Sequence, residues 1–108
     1  MITETFYRNN NNDNSLEVLV DGATVDITGT TRMQLKIGTV IYDSAVHPNI
    51  FDWTTNGATG RLDLEIDPPS TGDPALPDPG TYKARLIIFD ATYPQGKPWK
   101  EFIAVVED

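Results

Sequence analysis

The sequence predicts an all-β protein, an antiparallel β-sandwich of about seven to nine short strands. Apolar and polar residues alternate with a period of two in several separate runs, as strands with one buried face do. Eight Gly and eight Pro punctuate those runs at short intervals, as turns require. The length of 108 residues suits one domain, spanning 1–108, with a single core.

Taken in chain order, Ile2 to Tyr7 reads as an edge strand or an extending arm. It is set apart by Asn9-Asn10-Asn11-Asn12-Asp13-Asn14-Ser15, a polar low-complexity stretch with too little apolar surface to order itself. Residues 1–15 are therefore expected to form an N-terminal arm with a mobile loop over 9–15. Leu16-Glu17-Val18-Leu19-Val20 alternates, with Leu19 as the exception. In Arg32-Met33-Gln34-Leu35-Lys36-Ile37, Met33, Leu35 and Ile37 share one face. Arg61-Leu62-Asp63-Leu64-Glu65-Ile66 repeats the pattern, with Leu62, Leu64 and Ile66 inward.

Thr81 to Phe89 begins with Tyr82, Ala84 and Leu86 inward and turns apolar on both faces at Ile87-Ile88-Phe89. Leu86, Phe89 and Tyr93 also fit a helical spacing, but β-branched content and the flanking Gly80 and Pro94 favour a strand. Trp99 to Val106 is again apolar on both faces, as in a central strand or a packing partner. Between the runs, Asp21-Gly22 and Asn56-Gly57 are dipeptides that supply the positive φ angles of tight hairpins. Pro68 to Pro74 and Pro94 to Pro98 read as surface loops, since proline cannot donate to a sheet ladder.

The chain has no Cys, which excludes disulfides, thiol nucleophiles and thiolate zinc sites and fits assembly in a reducing cytoplasm. The opening Met1-Ile2-Thr3-Glu4-Thr5 has neither the basic nor the apolar segment of a secretory signal. No run approaches the roughly 18 apolar residues that a spanning helix needs. Sixteen acidic against eight basic residues give a formal charge of −8. That field repels phosphate backbones and anionic lipid, so neither nucleic acid nor membrane is an expected partner.

His47 is the only histidine, so a catalytic triad would have to pass through it. Ser44 precedes it by three residues in a loop, and His47-Pro48 reads more simply as a turn. Asp63, Glu65 and Asp67 alternate along one strand, where a solvated outer face is the plainer reading than a glycosidase pair. Asp67, Asp73 and Asp78 place oxygen donors in one loop region and are the weak Ca²⁺ candidates. Tyr42, Phe51, Trp53, Tyr93 and Trp99 are candidates for a sugar-stacking platform, although the apolar flanks of Phe51 and Trp53 favour core or subunit interface for those two. No enzyme activity and no cofactor are expected from these residues.

Two segments carry more than composition. In Leu76-Pro77-Asp78-Pro79-Gly80-Thr81-Tyr82-Lys83-Ala84, the order Asp78, Gly80, Tyr82 resembles the tyrosine corner of immunoglobulin-like sandwiches. Ala84 stands where antibody domains place a Cys, so the resemblance is to the wider architecture. The second segment is Val25-Asp26-Ile27-Thr28-Gly29-Thr30-Thr31-Arg32-Met33-Gln34-Leu35-Lys36-Ile37. With Asn56 to Ile66 and the Gly-x-Tyr strand, it resembles the N-terminal domain of phage baseplate upper proteins and related tail or neck components.

That resemblance covers roughly Leu16 to Val106, most of the chain. It implies a non-enzymatic structural module of a phage or prophage particle, in the tail, baseplate or neck, made in the host cytoplasm. The expected partners are other virion proteins and the chain itself, as a homo-oligomer, with Ile2, Phe6, Phe51, Trp53 and Trp99 as interface candidates. The alternative from a different class is a carbohydrate-binding or adhesion module of a bacterial surface protein.

Overall fold

The period-two runs become strands in a computed structural model that describes residues 2–8, 12–20, 22–66 and 74–108. In chain order these are β1 (Thr3–Tyr7), β2 (Asn12–Glu17), β3 (Leu19–Val20), β4 (Ala23–Thr24), β5 (Arg32–Ile37) and β6 (Val40–Asp43). They continue with β7 (Phe51–Asp52), β8 (Arg61–Ile66), β9 (Gly80–Phe89) and β10 (Lys97–Glu107). Short 3-10 turns occupy Pro48–Ile50 and Gly57–Thr59, and no α-helix occurs among the described residues. The protein is therefore all-β, and the helical spacing after Lys83 has no counterpart, because β9 runs as a strand to Phe89.

One sheet has five strands in the order β1-β10-β9-β5-β6; a second has three, β2-β8-β7; β3 and β4 form a separate hairpin. Within the five-stranded sheet β9 is flanked on both sides, and on its outer face Ile87 and Phe89 are half-buried. The expectation of purely antiparallel pairing is corrected at one edge. β1 lies parallel to β10, with Thr3 opposite Ile103 and Tyr7 opposite Glu107. Parallel neighbours need a long crossover, and here nearly the whole chain supplies it.

Both sheets feed one core. From the first come Phe6, Met33, Leu35, Ile37, Tyr42, Leu86, Ile88, Phe102 and Val106; from the second, Leu16, Leu62, Leu64 and Ile66. The alternation in β5 and β8 is realised residue by residue, each inward position buried. Leu76 joins the core from the proline-rich connection before β9.

Three local expectations are corrected. Asn12 to Ser15 belong to β2 and not to a mobile loop, while residues 9–11 lie outside the described segments. The reason is satisfied polarity: the buried Asn12 takes the Tyr7 N–H on its Oδ1 at 2.6 Å and donates Nδ2 to the carbonyls of Tyr7, at 2.9 Å, and Ile66, at 3.2 Å. Val20 is exposed, because pairing with β8 ends at Glu17 and the chain then enters the β3–β4 hairpin. Asn56-Gly57 opens a 3-10 turn, and the left-handed residue is Gly60, at φ 80°.

At the start of β9 the Tyr82 hydroxyl donates to the carbonyl of Asp78 at 2.6 Å, closing the turn that leads into a central strand. Tyr82→Phe removes that bond while keeping the ring. It is expected to lower the unfolding free energy by about 1 kcal/mol in urea titrations. An unchanged midpoint would show that the bond does not hold the corner.

Candidate interaction faces

Since the inner faces of both sheets meet in the core, their outer faces point away from each other, and they differ in charge. On the three-stranded sheet the outward positions are Asp13, Ser15 and Glu17 of β2, Arg61, Asp63 and Glu65 of β8, and Asp52 of β7. Five are carboxylates and one is a cation. Asp13 sits directly opposite Glu65, and Asp52 directly opposite Asp63. Like charges facing one another across strands are destabilising.

Side-chain and backbone donors hold two of these carboxylates. Asp63 accepts from Ser15 Oγ at 2.8 Å, from Asn56 Nδ2 at 2.8 Å and from Arg61 Nε at 2.8 Å. Asp52 accepts from the N–H groups of Thr54 and Thr55 and from both threonine hydroxyls. The Thr55 hydroxyl bond, aided by those backbone donors, holds the Asp52 pKa down to about 2. Asp13 and Glu65 are exposed, and together with Asp52, Asp63 and Arg61 they line a shallow concavity of about 300 Å³.

The outward positions of the five-stranded sheet carry the opposite sign at its centre. Arg32, Gln34 and Lys36 of β5 lie beside Phe89, Ile87 and Arg85 of β9, with Lys36 directly opposite Arg85. Lys83 follows on β9, and Ile103 lies beside it on β10. Arg85 reaches Glu101 at 3.2 Å, whereas Lys36 and Lys83 make no ion pair among the described residues.

One corner of this face is internally neutralised. Arg32 donates through Nε to Asp43 Oδ1 at 2.9 Å and through Nη2 to Oδ2, while Gln34 adds a bond to the same carboxylate at 2.9 Å. The guanidinium also lies 4.8 Å from the centroid of the Phe89 ring. The Arg32 bonds, with Gln34 and the Ala45 N–H, hold Asp43 far below the ordinary carboxylate range. Because folding lowers these two pKa values, the stability they supply is complete above the ordinary value of 3.8 and is lost as the pH falls through the folded values. The urea midpoint is expected to fall steadily between about pH 4 and pH 2, and less steeply in Asp43→Asn. Equal slopes in the two proteins would remove Asp43 from the acid response.

The residues singled out from the sequence are spread over the molecule. Phe6 and Phe51 are buried, at 0% and 7% exposure: Phe6 is corrected from interface candidate to core, and of the core and interface readings of Phe51 the structure gives the core. Trp53 and Trp99 are half-buried against the core, and Ile2 is exposed. Tyr42, also fully buried, leaves the aromatic platform, which reduces to Tyr93 and Trp99 with Lys97 Nζ 4.6 and 4.8 Å from their ring centroids. Trp99 falls at the register shift of β10 between Pro98 and Lys100. Its buried indole N–H has no acceptor among the described residues. It lines a second shallow concavity with Asp26, Thr30, Asp90 and Thr92.

Ser44 Oγ accepts the Met33 N–H at 2.9 Å, which ties its hydroxyl oxygen into the junction of β5 and β6. The His47 N–H bonds to the Asp43 carbonyl at 2.8 Å. Of the calcium candidates, Asp67 and Asp73 lie outside the described residues. Asp78 is exposed, with Arg8 Nη2 at 4.0 Å. Among the described residues no three His, Cys, Asp or Glu side chains converge on a metal-sized site. No protein-family model matches the chain, and no curated protein sequence matches it.

Proposed function

We propose that the chain is an immunoglobulin-like sandwich serving as a non-enzymatic structural module of a phage or prophage particle, in its tail, baseplate or neck. The architectural part is supported by strand order. The sequence β10-β9-β5-β6 on one sheet and β2-β8-β7 on the other matches G-F-C-C′ and B-E-D of variable-type domains, in chain order throughout. Tyr82, at the start of the strand in the F position, bonds back to Asp78 as a tyrosine corner does. The parallel β1 adds a strand beyond the G position.

The functional part is carried by one observation: two broad, oppositely charged outer faces, each with like charges left side by side across strands. Complementary charge of that kind steers protein partners together and fixes their register. The test is to induce cells carrying the gene, band the released particles by density, and quantify the chain in them by mass spectrometry. Stoichiometric recovery with the particles is expected; recovery only in the soluble lysate would overturn the reading.

The half-buried Trp99, lining one concavity with Asp26 and Asp90, favours a second reading, a carbohydrate-binding module. Titration with oligosaccharides while following tryptophan emission tests it, and a flat response across sugars retires it.

A further inference from the structure

We infer that the two outer faces are complementary halves of one contact, so that copies of this chain stack head to tail, the acidic face of one against the basic face of the next. The inference rests on the assembly reading above and names the partner as a second copy. The acidic half is Asp13, Glu65, Asp52 and Asp63 around their shared concavity. The basic half is Lys36, Lys83 and Arg85 at adjacent positions of β5 and β9.

Charge placement selects this geometry. The chain carries a net charge of −8, yet Lys36, Lys83 and Arg85 gather on one sheet with only Glu101 bonded among them. A twofold dimer would bury the same patch on both copies and set acid on acid or base on base. A heterologous contact sets acid on base and propagates to a ring or a filament. Asp13 with Glu65, and Lys36 with Lys83 beside an Arg85 already bonded to Glu101, gain opposite charges when the other half covers them.

Size and net charge set the strength. Two strands of six residues and one of two, about 4.8 Å apart at about 3.3 Å per residue, offer roughly 200 Å² per partner. That is well below the roughly 800 Å² per partner of a stable interface, so one contact is weak and gains by repetition in an array. Stacked copies have centres about 20 Å apart, twice the spacing of packed sheets. At about 0.1 M salt the screening length is about 10 Å, which damps the repulsion between net charges more than the attraction across the contact. At about 1 M, with a screening length of about 3 Å, the contact is screened as well.

Sedimentation velocity of the full chain at about 1 mM, in a salt series from 0.1 to 1 M, provides the first test. Concentration-dependent association near 0.1 M that disappears near 1 M is expected. A chain that stays monomeric throughout overturns the stacking, and if it is still recovered in particles the function reading survives alone. The second test uses K36E/K83E and D13K/E65K, four exposed side chains with no hydrogen bond or ion pair given up among the described residues. Each variant alone is expected to stay monomeric at 0.1 M, and an equimolar mixture to associate again, because each keeps the face that the other has lost. Association that persists in either variant alone overturns the pairing of these faces. Circular dichroism melts verify folding, and the salt series on the unaltered chain decides the matter should a variant unfold.

Discussion

Replacing Asn12 by alanine is expected to lower the unfolding free energy by about 3 kcal/mol, a large share of the stability of a domain this size. Asn12 is buried at 3% exposure and spans the space between the edge strands of the two sheets. Its amide takes the Tyr7 N–H and gives one nitrogen to both the Tyr7 and Ile66 carbonyls. Alanine removes the buried bond to the Ile66 carbonyl and both part-buried bonds to Tyr7 at once, and a buried group left unsatisfied costs more than its bond contributed. Asn14 adds a second tie, from Nδ2 to the Thr5 carbonyl at 3.1 Å. The check is urea denaturation combined with amide exchange, where the Tyr7 N–H should lose protection first. A loss below about 1 kcal/mol would mean that water replaces the asparagine without penalty.

Gly60→Ala is expected to cost as much or more, about 3–4 kcal/mol. Gly60 sits at φ 80°, where a side chain already costs roughly 1–2 kcal/mol. Here there is also no room: an added Cβ would lie 2.8 Å from the Val25 carbonyl oxygen and 2.9 Å from that of Val18. Both obstacles are backbone, and moving them strains the bonds from the Val18 N–H to the Gly60 carbonyl, at 2.8 Å, and from the Val25 N–H to the Val18 carbonyl, at 3.4 Å. Gly22→Ala is the control, with the same φ of 80° and nothing within 4 Å of the added Cβ. It should show the conformational cost alone, about 1 kcal/mol. Equal losses at the two glycines would show that crowding at Gly60 contributes nothing.

Which parts of the fold were legible follows from what each signal measures. Alternation reports one buried face, so β5 and β8 could be read position by position from Met33-Leu35-Ile37 and Leu62-Leu64-Ile66. The Asp78-Gly80-Tyr82 order indicated a specific hydrogen bond, and that bond is present. Composition failed at Asn12 and Asn14, because low complexity measures how little apolar surface a segment brings. It does not register that an amide can satisfy a neighbouring backbone on both sides. Phe6 illustrates another limit: an apolar residue on a terminal strand looks the same whether its own core or a partner receives it.

The charged faces were half visible. Arg32, Lys36, Lys83 and Arg85 occupy the outward positions of strands recognised from sequence, as do Asp63 and Glu65. Sorting those positions by sign would have hinted at the segregation. Asp13 and Asp52 are not available to that reasoning, since the composition of Asn12 to Ser15 reads as a loop and β7 is only two residues long.

The parallel seam between β1 and β10 joins residues 3–7 to residues 103–107. On the ribosome β1 must therefore wait for this partner until β10 has emerged. At the rate of translation, about 5–20 residues per second, that interval is of the order of 5–20 seconds. Throughout it Phe6 has no β10 beside it, and β10 in turn is made with a bare edge. Quality of production thus depends on how the nascent chain is sheltered in those seconds, and slow codons between the two strands lengthen the exposure.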